Sequence, residues 1–380
     1  MIKDVCRLLG LLGCASALAL ALALPLPAAA QSNGPLAITN DNAQRSTGYW
    51  TAERLRGAKP YPLPGAAETR ATSTDLPAAT GGPSASSPSA WPTYTGAPLN
   101  VQLHAPLARA DAAAPAAAPQ AGPQAAGTAG LRFTTERVVP MASLRNTYPW
   151  VAVGKLFFTG ALGGNFVCSA SVINRRVLAT AGHCVYDTAV NRFHGNFLFV
   201  PGYDNGASPF GSFTWSFAAT TGSWAAGTGG VPNAADFGVI VAADKVVGGV
   251  PRRIGELTGF LGWKTLALLG NNVSANGYPV NLDSGLRLQR TSAHVLRGAA
   301  PNSAEMGSDQ RGGSSGSAWV QDWGVASAGQ PGRELGGNIM VGITSYGPVA
   351  LTPRYQGSSI LNGEWVQILN LACAQPRACS

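Results

Sequence analysis

From Val138 onward the chain is built of short apolar or alternating runs separated by Gly, Asn, Pro and Asp. Ten of them predict strands: Val151 to Phe158, Phe166 to Val172, Val177 to Ala181, Asn196 to Val200, Phe213 to Phe217, Phe237 to Val241, Thr265 to Leu269, Leu286 to Gln289, Ser317 to Val320 and Gly337 to Ser345. Short strands at regular spacing, with Gly and Pro at the turns, indicate an all-β barrel or sandwich. Near the C-terminus the period changes. Trp365, Ile368, Leu369 and Ala372 recur at i, i+3, i+4 and i+7, which predicts a terminal helix packed on the body.

The first 137 residues read differently. Lys3 and Arg7 precede an apolar run to about Leu24, then Pro25 and Ala28-Ala29-Ala30, the pattern of an export signal over 1–30 cleaved before Gln31. Residues 31–137 are rich in Ala, Pro, Gly, Ser and Thr, a composition that buries too little apolar area to offset chain entropy, so a disordered pro-segment or linker is expected. One denser island, Tyr49 to Arg56, suggests a short amphipathic helix that could dock on the body. The organisation expected is thus a signal over 1–30, a leader over 31–137 and one globular unit over 138–380.

Composition narrows the partners. Of the 380 residues only 12% are charged and 46% are hydrophobic, with 48 Gly and 27 Pro, which disfavours a helix-rich enzyme. The net charge of +8 comes from dispersed Lys and Arg rather than a block or a helix face, so no nucleic-acid partner is expected. Beyond the signal there is no apolar run of membrane-spanning length, and no stable membrane association is expected once the signal is removed. Cys6 and Cys14 lie in the signal, leaving Cys168, Cys184, Cys373 and Cys379, an even number suited to an oxidising compartment. Four cysteines allow three connectivities. The sequence-local choice pairs Cys168 with Cys184 and Cys373 with Cys379, and the first bridge would contribute roughly 3 kcal/mol. Neither a CxxC pair nor a second His at ligand spacing accompanies them, so no metal is expected, and no cofactor site is visible.

Four histidines are present: His104 in the leader, His194 near a turn, His294 in an alternating stretch, and His183, which follows the apolar run Val177 to Ala181 and abuts Cys184. The second chemical feature is Gly312-Gly-Ser-Ser-Gly-Ser317, where small residues let backbone amides approach a substrate oxygen while a serine presents its hydroxyl. Two nucleophile patterns overlap there, Gly312-x-Ser314-x-Gly316 and Gly313-x-Ser315-Gly316-Ser317. Chain order separates them. The α/β-hydrolase order needs a His after the serine, and none follows residue 294. The order His, Asp, Ser is available with His183 ahead of Ser315. The acid is then one of Asp187, Asp204, Asp236, Asp244, Asp283 or Asp309; Asp236, between Ala234-Ala235 and Phe237 to Val241, sits at the mouth of a buried strand. In those roles Ser315 would attack an acyl carbon, His183 would carry the proton, Asp236 would orient the imidazole, and the amides of Gly313 and Ser315 would form the oxyanion hole.

These residues resemble the chymotrypsin-like serine peptidases, in particular the bacterial glutamyl-endopeptidase (V8-like) branch. The matching segments are Thr180-Ala-Gly-His183-Cys184, Asp236-Phe-Gly-Val-Ile240, Gly313-Ser-Ser315-Gly-Ser317 and Ser345-Tyr346-Gly347, with support from Phe199 to Tyr203, Gly277 to Pro279 and the leader's Gly48 to Thr51. The resemblance implies two six-stranded antiparallel β-barrels with the site in the cleft between them, a Cys168–Cys184 bridge beside the histidine and a closing C-terminal helix. It also implies a secreted or periplasmic, monomeric serine endopeptidase acting on protein or peptide substrates. The alternative is an exported binding module that uses the fold without catalysis.

Several positions depart from the family's pattern. Ser314 stands where trypsin-type zymogens carry the Asp that receives the new N-terminus, and Ala318 stands where V8-like members usually carry Pro. Thr344 takes the place of the S1 histidine of glutamate-specific members, while Asp309, six residues before Ser315, matches the acid behind Lys/Arg preference. Thr344, Ser345, Tyr346 and Gly347 would line S1 in either case. A cut after Arg137 would leave Val138 at the mature N-terminus.

Overall fold

The computed structural model describes residues 34–62, 84–107, 131–139, 141–324 and 337–380. The proposed signal lies outside the described residues. Six strands make the first half of the body: β1 Val153–Thr159, β2 Asn165–Val172, β3 Val177–Thr180, β4 Gly195–Pro201, β5 Phe213–Thr220 and β6 Gly238–Ala242. Antiparallel pairs run β4-β1-β2-β3-β6-β5, and β5 pairs back to β4, so the barrel closes. Its interior holds Leu156, Phe158, Val172, Leu178, Phe197, Phe199, Val239 and Val241, all nearly inaccessible.

The second half comprises β7 Asn272–Gly277, β8 Gln289–His294, β9 Ser303–Gly307, β10 Ala318–Gln321, β11 Ile339–Tyr346 and β12 Tyr355–Ile360. Their order is β9-β12-β11-β10-β7-β8, and among the described residues no ladder joins β8 to β9. The two six-stranded antiparallel halves are those expected, the first a closed barrel and the second, among the described residues, a half-barrel. Three of its six strands escaped the sequence pattern. Asn272–Gly277, Ser303–Gly307 and Tyr355–Ile360 are rich in Ser, Ala, Asn and Gly, and carry little of the β-branched signal that marks a strand. Thr265 to Leu269, expected as a strand, is a turn following the short strand Gly262–Lys264.

The terminal helix forms at Gly363–Cys373 with the Asn362 side chain accepting from the Glu364 and Trp365 amides, and Trp365, Ile368, Leu369 and Ala372 are its buried residues. Trp365 meets Phe237 and Trp263 edge-on, which fixes the helix against the β6 side of the barrel. Both sequence-local disulfides are present, Cys168–Cys184 and Cys373–Cys379.

The leader is not uniformly unpacked, which corrects the expectation of disorder for its described parts. Leu36–Thr39 pairs antiparallel with β5, and Lys59–Pro60 pairs parallel with β2. Ser86–Ser87 pairs with Gly262–Lys264, and Phe133–Arg137 extends the second sheet beyond β8. Composition underestimated these segments because a few aromatic and aliphatic anchors suffice once a body exists to receive them. Trp50 and Leu55 are buried, and the Trp50 indole donates to the Asn196 carbonyl. The Tyr49 to Arg56 island does dock. Arg137 is ion-paired with Asp283, and the Val138 amide donates to the Leu288 carbonyl, so the proposed cut after Arg137 falls at the end of a paired strand.

The two halves share apolar clusters, and polar groups also join them. In β2 the apolar residues Cys168, Ala170 and Val172 alternate with Ser169 and Ser171, and both sets are buried. Ser169 Oγ accepts from the Tyr278 amide at 2.9 Å and donates to the Gly313 carbonyl at 2.9 Å. Lys155, also buried, donates to the Gly285 carbonyl at 2.8 Å from among the Phe157 and Tyr203 rings. Burial pushes its amine down from the ordinary lysine value to about 7. The unfolded chain therefore holds this proton up to higher pH than the folded one, and the lysine's unfavourable contribution fades as pH rises from 7 toward 10. Replacing Lys155 by Met should stabilise the protein more at pH 7 than at pH 10, the gap being on the order of 3 kcal/mol. Chemical denaturation of both proteins at the two pH values measures this, and a gap of zero would refute it.

Candidate active site

His183 lies in a single three-residue turn, Gly182–Cys184, just past β3, and Cys184 ties that turn to β2 through Cys168. Asp236 lies two residues before β6 and is fully buried. Its carboxylate is held by three donors: the His183 amide on Oδ1 at 2.8 Å, His183 Nδ1 on Oδ2 at 2.8 Å, and the Ser345 hydroxyl on Oδ2 at 2.6 Å. A carboxylate accepts, which assigns the imidazole hydrogen to Nδ1 and leaves a lone pair on Nε2. The carboxylate also explains Gly182. A Cβ at that position would fall 2.9 Å from Asp236 Oδ1 and 2.9 Å from the Trp224 ring.

Ser315 belongs to the tight turn between residue 311 and β10. The Ser314 hydroxyl donates to the Arg311 carbonyl, and the amides of Ser314, Gly316 and Ser317 donate to the carbonyls of Arg311, Thr344 and Ser314. The amides of Gly313 and Ser315 donate to no carbonyl among the described residues. Gly316 has φ +82°, and a Cβ there would lie 2.2 Å from both the Ser169 carbonyl oxygen and Thr180 Oγ1. This close approach seats the turn on β2 and β3, where the Ser169 amide donates to the Ser315 carbonyl at 2.7 Å. His183 Nε2 and Ser315 Oγ are both buried without a hydrogen-bond partner among the described residues.

No family model matches the chain. Glutamyl endopeptidase of Bacillus licheniformis is 27% identical over 146 residues, 38% of this chain and 41% of that protein, so the match spans less than half of that relative. Among solved structures, the protease Anisep from Arthrobacter nicotinovorans aligns with TM-score 0.51 at 24% identity, covering 64% of this chain and 100% of that one. A thermostable serine protease, AL20, from an extremophilic microorganism aligns with TM-score 0.50 at 26% identity, covering 60% and 99%. The fold is that of a chymotrypsin-like serine peptidase. The V8-like resemblance read from the motifs agrees with the curated relative.

In this peptidase fold the residues expected to line S1 divide. Thr344 Oγ1 accepts from the Trp319 indole at 2.8 Å, the Ser345 hydroxyl is bound to Asp236, and the Tyr346 hydroxyl donates to Glu305 Oε1 at 3.0 Å. All three side-chain hydroxyls are thus committed to internal partners, and Gly347 is buried. Asp309 is half-buried, and its Oδ1 has no partner among the described residues. The neighbouring Arg311 does not supply one, because its donors go to the carbonyls of Ser308, Gln310, Ala350, Leu351 and Pro353. Gln356 was not anticipated. It donates to Ser314 Oγ and accepts from Ser308 Oγ, each within 2.8 Å, so it closes the floor between them.

His194, which the sequence placed only near a turn, supports the site. Its Nδ1 accepts from the Ala161 amide, so its Nε2 carries the hydrogen and donates to the His183 carbonyl at 3.1 Å. Burial pushes it down to about 4, which keeps this support neutral and the tautomer fixed over ordinary pH. Among the described residues, Cys168, His183 and Cys184 are close enough together to suggest a metal, but both sulfurs are spent in the disulfide.

The Ser345 hydroxyl reaches the carboxylate from the second half of the body, so removing it leaves a buried acceptor one donor short. Ser345→Ala should cost about 1–3 kcal/mol. A thermal midpoint unchanged from the parent protein would show that the bond contributes nothing.

Proposed function

We propose that this chain is a secreted serine endopeptidase, made as a precursor, that cleaves peptide bonds through an acyl-enzyme. Ser315 Oγ is the nucleophile, His183 Nε2 takes its proton and returns it to the leaving amine, and Asp236 fixes the imidazole tautomer and stabilises its charged form. The amides of Gly313 and Ser315, free of internal acceptors among the described residues, are the donors for the oxyanion. The observation that carries this reading is the Asp236–His183 bond at 2.8 Å combined with two buried, unpartnered reactive atoms, His183 Nε2 and Ser315 Oγ. Buried polar atoms normally find partners, and two left open, one on the histidine turn and one on the nucleophile turn, support a site kept for a reacting group.

Cleavage of an unbiased peptide mixture, read by mass spectrometry, tests the activity. Ser315→Ala should abolish cleavage, and Asp236→Asn should lower turnover by about 10⁴-fold through loss of the required tautomer. Cleavage that survives in Ser315→Ala would refute the assignment.

P1 selection we assign to Asp309 rather than Thr344. Thr344 has its hydroxyl engaged by Trp319, whereas Asp309 offers a buried carboxylate oxygen that a cationic side chain would satisfy. Cuts should cluster after Lys and Arg, and Asp309→Ser should remove that clustering. Clustering after Glu in the parent protein would overturn the assignment.

A further inference from the structure

The leader reaches the site. After the buried anchors Trp50 and Leu55, the chain runs Lys59-Pro60-Tyr61-Pro62 along the edge of β2, with Lys59 opposite Phe166 and Pro60 opposite Val167. The Tyr61 amide donates to the Val167 carbonyl at 3.2 Å. The segment is parallel to β2, so it advances toward Ser169, the residue whose amide holds Ser315. Pro60 lies against Gly312, where an added Cβ would come within 3.0 Å of the proline ring. The strap therefore passes between the nucleophile turn and the histidine turn.

The ring of Tyr61 is surrounded by four others. Phe166 and His194 meet it edge-on at 5.1 and 4.8 Å, Phe158 is tilted at 5.5 Å, and the His183 imidazole lies nearly parallel at 6.3 Å. Burial, with the Asp187 carboxylate nearby, pushes the Tyr61 hydroxyl well above the ordinary tyrosine value. Beside it opens a cavity of about 390 Å³ walled by Tyr186, Trp224 and the Gly160–Gly163 loop. His183 itself forms part of the wall of this space. In the reaction proposed above, His183 protonates the departing amine, so the departing peptide must lie beside this histidine.

We propose that the ring formed by Phe158, Phe166, His183 and His194, with Asp187 at its rim, is a subsite for an aromatic side chain on the leaving-group side of the scissile bond. Tyr61 fills it as an intramolecular competitor. The inference rests on the peptidase reading for its catalytic consequence, but the binding site itself does not. Proline on both sides of Tyr61 suits the segment to this role, since neither proline offers an amide to the strand edge and both stiffen the backbone in an extended form. Tethering holds the ring at millimolar effective concentration, so peptides entering from solution compete poorly while the strap is attached.

The test uses the full chain and two readouts. In the first, Tyr61→Ala in the otherwise intact chain should raise the rate of hydrolysis of a peptide bearing Tyr on the leaving-group side by about tenfold or more, the loss expected for several ring contacts. Tyr61→Phe should stay close to the parent, because the ring contacts persist. In the second readout, the acetylated, amidated peptide Lys-Pro-Tyr-Pro should bind the Tyr61→Ala, Ser315→Ala double variant by titration NMR. It should fail to bind Ser315→Ala with the strap intact. Binding in the double variant without hydrolysis by any form would keep the subsite and sink the peptidase reading. Equal hydrolysis by parent and Tyr61→Ala, with no peptide binding to the double variant, would overturn the subsite and leave the peptidase reading standing.

Discussion

The carboxylate of Asp236 is the constraint around which the molecule is arranged. It is fully buried, and an ionised group there is tolerable only while donors surround it. Two of its donors come from His183, at the end of the closed barrel, and the third is Ser345, on a strand of the open sheet. Its own amide donates to Ser359 Oγ, again across the junction. One charge therefore fixes the histidine turn, demands a glycine at residue 182, and draws two strands of the second sheet against the first barrel. The alignment of the halves and the geometry of the site are consequences of the same desolvated group.

Much of the closed barrel was legible in the sequence because its strands are long and carry Val, Ile, Leu and Phe in unbroken or alternating runs. The terminal helix was legible from Trp365, Ile368, Leu369 and Ala372. His183, Asp236 and Ser315 were candidates by chain order and local pattern; the bond from the Ser345 hydroxyl to the carboxylate carried no such signal. The second sheet was harder to read. Strands such as Ser303–Gly307 and Tyr355–Ile360 are buried with only Ala304, Met306 and Ile360 as apolar anchors among Ser, Glu, Gln and Gly, and that pattern looks like loop until the partners are known. The leader was misread for a related reason. Its order comes from isolated anchors, Trp50, Leu55 and Tyr61, whose value depends entirely on the surface that receives them.

Shared apolar clusters run across both halves, and small polar residues fix their register. Ser169, Asn302, Ser345 and Ser359 each place a short side chain between backbone or carboxylate groups of opposite sheets. Such bonds contribute modestly one by one, but they are directional, and they leave little freedom for one half to slide on the other. An apolar interface of the same area would hold as firmly while specifying position less sharply.

The bridge between Cys168 and Cys184 sets the length of the route that connects the two reactive side chains. From His183 the chain steps to Cys184, crosses the sulfur pair to Cys168, steps to Ser169, and passes through one hydrogen bond to Ser315. Every link but the last is covalent, although His183 and Ser315 stand 132 positions apart along the chain. Break the sulfur pair, and the covalent path from His183 to Ser169 lengthens to the 14 positions of chain between them. Both cysteines are fully buried, so this short link is shielded from thiol reagents for as long as the surrounding barrel stays closed.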